Sequence, residues 1–179
     1  HTATNVNRIP GFNARKVVCV SDYFKLKTIA GNRHARLSPM TILNGCADYI
    51  NIEPSEKDNR FIIGRCQRVV PSKFFNDPIH TMENVVQYII GPVGKGCSYL
   101  LPKTNVKLFG PIFDKNKKIP IIRSFNVYLH GSVRPEGCSM AILESLSCGI
   151  PVVVRHTRGG VAEIIKHGFN GFFYKNLDD

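Results

Sequence analysis

The sequence predicts an α/β protein built on a doubly wound parallel sheet, and three observations carry that expectation. Short apolar runs recur along the chain, each bounded by Gly, Pro or Asn. Most of the runs are continuous rather than alternating, as strands covered on both faces are. Helical segments fall between them, with no internal repeat or low-complexity tract, which is the βαβ rhythm of a parallel sheet.

Taken in order, the expected strands lie in KVVCVS (16–21), MTILNG (40–45), RFIIG (60–64), NVVQYIIG (84–91), NVKLFG (105–110), FNVYLHGS (125–132) and IPVVV (150–154). Helices are expected over 23–29, from 71–75 on toward His80, and over 117–123, 140–148 and 161–166. ADYINIEPSEKDN (47–59) is the most polar stretch and the expected boundary. It divides a strand–helix–strand remnant over 1–50 from a nucleotide-type domain over 51–179.

Composition narrows the class. With 43% hydrophobic and 21% charged residues the chain is an ordinary globular one. No run approaches the roughly 18 apolar residues of a membrane helix. The chain opens HTATNV, without Met, so a fragment or processed form is expected. Its six cysteines are scattered with no C-x-x-C pair and no zinc spacing, which predicts reduced thiols in a cytoplasmic protein. The net charge of +11 calls for an anionic partner: a phosphorylated ligand, a membrane surface touched peripherally, or nucleic acid. The excess is spread along the chain. KNKK (115–118) is its one cluster and reads as a solvated helix start. No nucleic-acid motif with interleaved aromatics accompanies it.

The stretch PEGCSMAILESLSCGIPVVV (135–154) carries the chemistry. Ser139 can cap a helix from Met140 to about Cys148, with Gly149 as its stop and Pro151 opening the next strand. Glu136 then lies in the loop before the helix, and Glu144 lies roughly 7 Å up it. Around Glu144 the helix is nearly all apolar. An unpaired buried carboxylate costs several kcal/mol, so Glu144 must face a polar cleft or bind something. The backbone N–H groups of Gly137, Cys138 and Ser139 at the helix start form a ready anion site.

This stretch resembles the retaining glycosyltransferases of family 4, whose enzymes pair two Rossmann-like domains. The resemblance continues through RGGVAEIIKHGFNGFFY (158–174) and extends back to RVVPSK (68–73), TILNGCADYI (41–50) and VCVSDYFKLKTIA (18–30). It implies the C-terminal, donor-binding half of a two-domain enzyme, with residues 1–50 as the tail of an N-terminal acceptor domain plus crossover, and with the last helices absent. The implied reaction moves a hexose from a UDP- or GDP-sugar to a sugar, lipid or protein-linked acceptor, with retention and with neither cofactor nor metal.

By position the resemblance implies that Glu144 accepts hydrogen bonds from ribose hydroxyls and that Glu136 contacts the donor sugar at the reaction centre. It gives Gly137, Cys138 and Ser139 to the sugar and distal phosphate, and Arg68 and Lys73 to the diphosphate. Arg65 competes with Arg68 for the arginine of the motif, and spacing to Lys73 favours Arg68. The family has a Gly or aromatic-Gly pair where this chain has Cys138 and Ser139, which leaves the donor sugar open.

Other features read more plainly. GPVGKG (91–96) lacks the glycine and the Ser or Thr of a phosphate-binding loop and reads as a turn after a strand. His130 reads as a structural histidine at a strand end. His156 and Arg158 open a loop, and Asn170–Gly171 reads as a hairpin-like turn. Two rival functions remain: a non-catalytic nucleotide or nucleotide-sugar binding module, and a basic nucleic-acid-binding domain.

Overall fold

The computed structural model describes residues 17–31, 39–55, 58–73, 82–97 and 104–175. Strands β3 (Phe61–Cys66), β4 (Val85–Ile90), β5 (Val106–Gly110), β6 (Val127–His130), β7 (Val152–Arg155) and β8 (Gly171–Tyr174) form one six-stranded sheet. Its order is β5-β4-β3-β6-β7-β8 and every pairing is parallel. Counted within this sheet that order is third, second, first, fourth, fifth, sixth, the doubly wound Rossmann-like arrangement. The direction of winding reverses between β3 and β6.

The continuous apolar runs are strands buried on both sides, as expected. In β4, Val86, Tyr88 and Ile90 belong to the main core with Ile122, Phe125, Tyr128 and Ile142. Their neighbour Ile89 points the other way, into a smaller cluster with Val69 and Cys97. A strand with two dry faces cannot alternate polar with apolar.

Helix α2 (Lys115–Arg123) crosses from β5 to β6, and α3 (Met140–Ser147) from β6 to β7. Asp114 caps α2 by accepting from the Asn116 N–H at 2.9 Å. At the other end of α3, Gly149 adopts φ 72°, its N–H bonds the Leu146 carbonyl at 2.9 Å, and the Ile150 N–H reaches Ser145 at 3.0 Å. That double closure needs a left-handed residue, which is why glycine stops the helix.

Two expectations change in detail. Asn170–Gly171 is not a hairpin turn: Gly171 opens β8, which runs parallel to β7 after the short helix α4 (Val161–Ile164). A hairpin joins antiparallel strands, and the intervening helix makes this a crossover instead. Helix α4 also ends earlier than 166, because Ile165 is already extended (φ −92°, ψ 126°). Residues 71–73 form a turn, and the continuation of that expected helix toward His80 lies outside the described residues.

Before the main sheet, β1 (Val17–Cys19) and β2 (Pro39–Thr41) pair in parallel as a separate two-stranded sheet beside α1 (Asp22–Gly31). The polar stretch from 47 onward is strapped to the main unit. The Tyr49 N–H donates to the Ser147 carbonyl at 2.9 Å, the Ser55 N–H to Pro120 at 3.1 Å, and Arg123 Nε to Ile52 at 2.8 Å.

Strand β3 tolerates no side chain at its centre. A Cβ on Gly64 would lie 1.8 Å from Phe125 Cδ2, and Phe125 is buried in the main core. Gly64→Ala is therefore expected to lower stability by about 1–3 kcal/mol, the usual cost of overpacking. Chemical denaturation measures the loss, and adding Phe125→Leu should recover part of it.

Candidate functional site

In open parallel sheets the ligand crevice lies outside the carboxyl ends of the strands where winding reverses. Here those ends belong to β3 and β6. The chain after β3 carries Arg68 and Lys73, and the chain after β6 carries the loop of Glu136 and then α3. The sheet thus gathers the sequence-predicted site residues at one edge, and it sorts them into two cavities.

The first cavity, about 470 Å³, is lined by Cys66, Arg68, Gly91, Phe113, Lys118 and Glu144 among others. Glu144 is 4% exposed, so the sequence reading of a buried carboxylate holds. It is not unpaired, however. Lys118 Nζ donates to both its oxygens, at 2.7 and 2.8 Å. Burying one charge forces its partner in with it. KNKK is correspondingly not solvated throughout: Lys115, Asn116 and Lys117 are exposed, while the Lys118 side chain keeps only 17% exposure. Burial pushes the Cys66 thiol in the same cavity far up, and the negative Glu144 adds to that effect.

Arg68 is exposed at the rim of this cavity, whereas Arg65 is buried within β3. The turn GPVGKG begins at the cavity wall through Gly91 and Pro92, as a turn after a strand. Phe113, 91% exposed, stands at the mouth.

The second cavity, about 650 Å³, is lined by Lys73, Ser132, Arg134, Glu136, Gly137 and Cys138, with the β1 segment opposite. One Glu136 oxygen accepts from Lys73 Nζ at 2.5 Å, and the other lies 3.5 Å from His130 Nε2. Burial works to raise the Glu136 pKa. The imidazolium that His130 becomes only at acid pH, together with the Lys73 ammonium, outweighs that and holds it below the usual carboxylate range. His130 is 2% exposed, and burial pulls its pKa down to about 4 in spite of Glu136. At neutral pH it is uncharged.

Arg68 borders the cavity of Glu144, while Lys73 is bonded to Glu136 in the second cavity. Ser139 occupies the N-cap of α3, but its hydroxyl makes no capping bond. Its carbonyl accepts from the Leu143 N–H at 3.2 Å, and Asn44 Nδ2 donates to the Cys138 carbonyl at 3.3 Å. His156 and Arg158 are exposed on the loop after β7. Among the described residues no group of three or more His, Cys, Asp or Glu side chains is placed to hold a metal ion.

Sequence reasoning missed the residues that hold the Glu136 loop. The Gly160 N–H donates to the Glu136 carbonyl at 2.8 Å. A Cβ on Gly160 would sit 1.9 Å from the Gly137 carbonyl oxygen, and one on Gly159 would sit 2.7 Å from that of Glu136. Three residues on, Glu163 accepts from the N–H groups of Asp22 and Tyr23, both at 2.9 Å, at the start of α1. A carboxylate there meets the positive end of the helix dipole. The paired glycines were a visible signal of close backbone approach, but what they approach was not. Lys118 gave no signal beyond its charge.

The chain is similar to known proteins in sequence and in fold. A family model described as Glycosyl transferases group 1 matches residues 95–179. Over 63 residues, 35% of this chain and 16% of the other, the chain is 30% identical to the uncharacterized glycosyltransferase MJ1069 of Methanocaldococcus jannaschii. Among solved structures it is similar to Anabaena Alr3699/HepE in complex with UDP and glucose, at 25% identity and TM-score 0.72, covering 89% of this chain and 49% of that one. A glycosyltransferase from Rickettsia africae ESF-5, 18% identical with TM-score 0.69 over 89% of this chain and 48% of that one, shares the fold. The chain spans about half the length of these solved structures. Residues 95–179, just under half of the chain, thus match the glycosyl transferases group 1 family model, and the parallel sheet has the Rossmann-like order and is similar to the corresponding half of these GT-B glycosyltransferase structures.

Proposed function

We propose that this chain is the donor-binding part of a glycosyltransferase that moves a hexose from a nucleotide diphosphate sugar to an acceptor with retention of configuration. The observation that carries the reading is Glu144, a carboxylate 4% exposed on an otherwise apolar helix, presented to a cavity that also holds Arg68 and an exposed aromatic ring. A vicinal diol offers two hydroxyl donors to such a carboxylate, and each of its oxygens keeps acceptor capacity beyond the Lys118 bond. The UDP and glucose held by the Anabaena relative support a nucleotide sugar as the ligand class.

In this reading the ribose meets Glu144 and the phosphates lie between Arg68 and Lys73. The sugar lies over the Glu136 loop, near the N–H groups of Gly137, Cys138 and Ser139 at the start of α3. The leaving nucleoside diphosphate gains negative charge as the glycosidic bond breaks. Cationic side chains placed there, rather than a metal ion, stabilise that charge in the transition state. Arg68 grips two oxygens in a fork, while Lys73 acts as a mobile point charge that can leave Glu136 for a phosphate. The uncapped first turn of α3 leaves backbone donors free for the distal phosphate or sugar. Retention follows from the resemblance to family 4, with the acceptor attacking from the face the leaving group departs.

Glu144→Gln is expected to weaken UDP or GDP binding about tenfold or more, the size of one lost charge-assisted hydrogen bond. Calorimetry with both nucleotides decides it, alongside a melting curve to show that the fold persists. Unchanged affinity would make the Glu144–Lys118 pair purely structural.

Arg68→Ala and Lys73→Ala should each weaken a nucleoside diphosphate more than the matching nucleoside. Equal losses for both ligands would remove these residues from the phosphate site.

A chain spanning about half of its structural relatives offers one wall of a two-walled cleft in this reading. Transfer requires the acceptor oxygen within about 3–3.5 Å of the reacting carbon and exclusion of water. The 179 residues alone should bind nucleotide sugar and transfer little. Joined to an N-terminal α/β half from a relative, they should transfer with retained configuration. Mass spectrometry of the product and proton NMR of its anomeric centre read the outcome. Binding with no transfer in any such chimera would favour a non-catalytic binding module.

A further inference from the structure

His130 stands at the carboxyl end of β6, directly beneath the Glu136 loop, and the reading above gives it no task. Its ring is 2% exposed and is held on both edges. Nδ1 lies 3.5 Å from the Tyr128 hydroxyl, and Nε2 lies 3.5 Å from the Glu136 oxygen that Lys73 does not use. Among the described residues Nε2 has no hydrogen-bond partner within ordinary reach. A buried, aimed and unsatisfied ring nitrogen costs free energy unless another state of the molecule uses it.

The charged and titratable groups facing this ring come from each element around it. They are Glu136 from the loop, Lys73 from the chain after β3, Arg65 from β3 itself and Tyr128 two residues earlier on β6. The Tyr128 phenol is buried and its hydroxyl is hydrogen-bonded with the backbone of Cys66. If that hydroxyl takes the Cys66 N–H, its own proton is free for His130 Nδ1. The opposite tautomer would aim the bare lone pair of Nε2 at a carboxylate, which is repulsive. Electrostatics therefore puts the proton on Nε2, toward Glu136.

We propose that His130 is a positioning residue: its Nε2–H holds the Glu136 carboxylate in place when a ligand's phosphates draw the Lys73 ammonium away. The inference rests on the nucleotide-sugar reading for the movement of Lys73 and for the contact of Glu136 with a sugar. Lys73 and the Ser132 hydroxyl both bond Glu136. Once a diphosphate shares or takes that cation, the Ser132 hydroxyl is left as one donor, and Nε2–H closing on the oxygen that Lys73 does not use restores the two-sided hold on the carboxylate. The 3.5 Å separation shortens to an ordinary hydrogen bond with a small rotation of either group, as such contacts do on ligand binding. A neutral donor suits the task better than an imidazolium, which would compete with the phosphates for Lys73's role.

The first test needs no ligand. Nitrogen-15 NMR of the imidazole should show the Nε2–H tautomer, neutral down to about pH 5 and titrating near 4. The Nδ1–H tautomer, or a ring charged at pH 7, would overturn the proposal. The second test uses UDP and UDP-glucose by calorimetry. His130→Phe should weaken UDP-glucose roughly tenfold, the worth of one hydrogen bond to a charged group, and leave UDP unchanged. His130→Gln, which restores an N–H donor, should recover most of the loss, and melting curves must show both variants folded. His130→Leu replaces the phenylalanine variant if that one does not fold. Equal losses for UDP and UDP-glucose, or none for either, would sink the positioning role. If the wild-type chain binds neither UDP and UDP-glucose nor GDP and its sugars, the nucleotide-sugar reading itself fails and this inference falls with it. Binding of both with no effect of His130 removes only the inference.

Discussion

A carboxylate taken out of water must bring an opposite charge with it, and both sides of this site are arranged around that demand. Glu144 on α3 draws the Lys118 ammonium in from α2. Glu136, on the loop before α3, draws Lys73 across from the chain after β3. Each pair ties segments distant in sequence, 26 and 63 residues apart. The carboxylates line the cavities while their counter-charges fix where α2 and the turn after β3 must lie. Removing one member of such a pair leaves the other buried and uncompensated, so these side chains are coupled to the fold as well as to any ligand.

The second constraint is distance between backbones. The Glu136 loop can lie where it does because Gly159 and Gly160 present no side chain to it. From the far side Gly137 accepts Val20 and Phe24, whose atoms would stand 2.8 and 3.0 Å from any Cβ placed there. Glu163 then ties α1 to the same group of loops through two backbone bonds. The segment before the main sheet and the loop that carries the candidate sugar contact are thus packed as one assembly. A shift of α1 would be felt at Glu136 through glycine contacts that have no slack.

Charge is graded across the site. The chain carries +11 overall, yet the described basic residues nearest the site divide their duties. Lys118 and Lys73 neutralise carboxylates, whereas Arg68 and Arg134 remain exposed at the cavity edges. The basic balance that first suggested an anionic partner is therefore partly spent within the protein. Arg68 and Arg134 border the cavities where phosphates enter in the nucleotide-sugar reading.

By itself the sequence determined the class of fold, because strands buried on two faces must be continuously apolar and helices between parallel strands must span a crossover. It determined where α3 begins and ends, since Gly149 alone can take the left-handed stop. It also pointed to Glu136 and Glu144 as the carboxylates to follow, because a charge in an apolar stretch is costly enough to need a reason. The tertiary structure decided what sequence spacing does not encode. Lys118 as the partner of Glu144, and His130 and Lys73 on opposite oxygens of Glu136, depend on contacts made across the sheet. Asn170–Gly171 shows the same limit from the other side. A turn dipeptide reports a local change of direction, and only the pairing of β8 with β7 shows that the chain was crossing over rather than turning back.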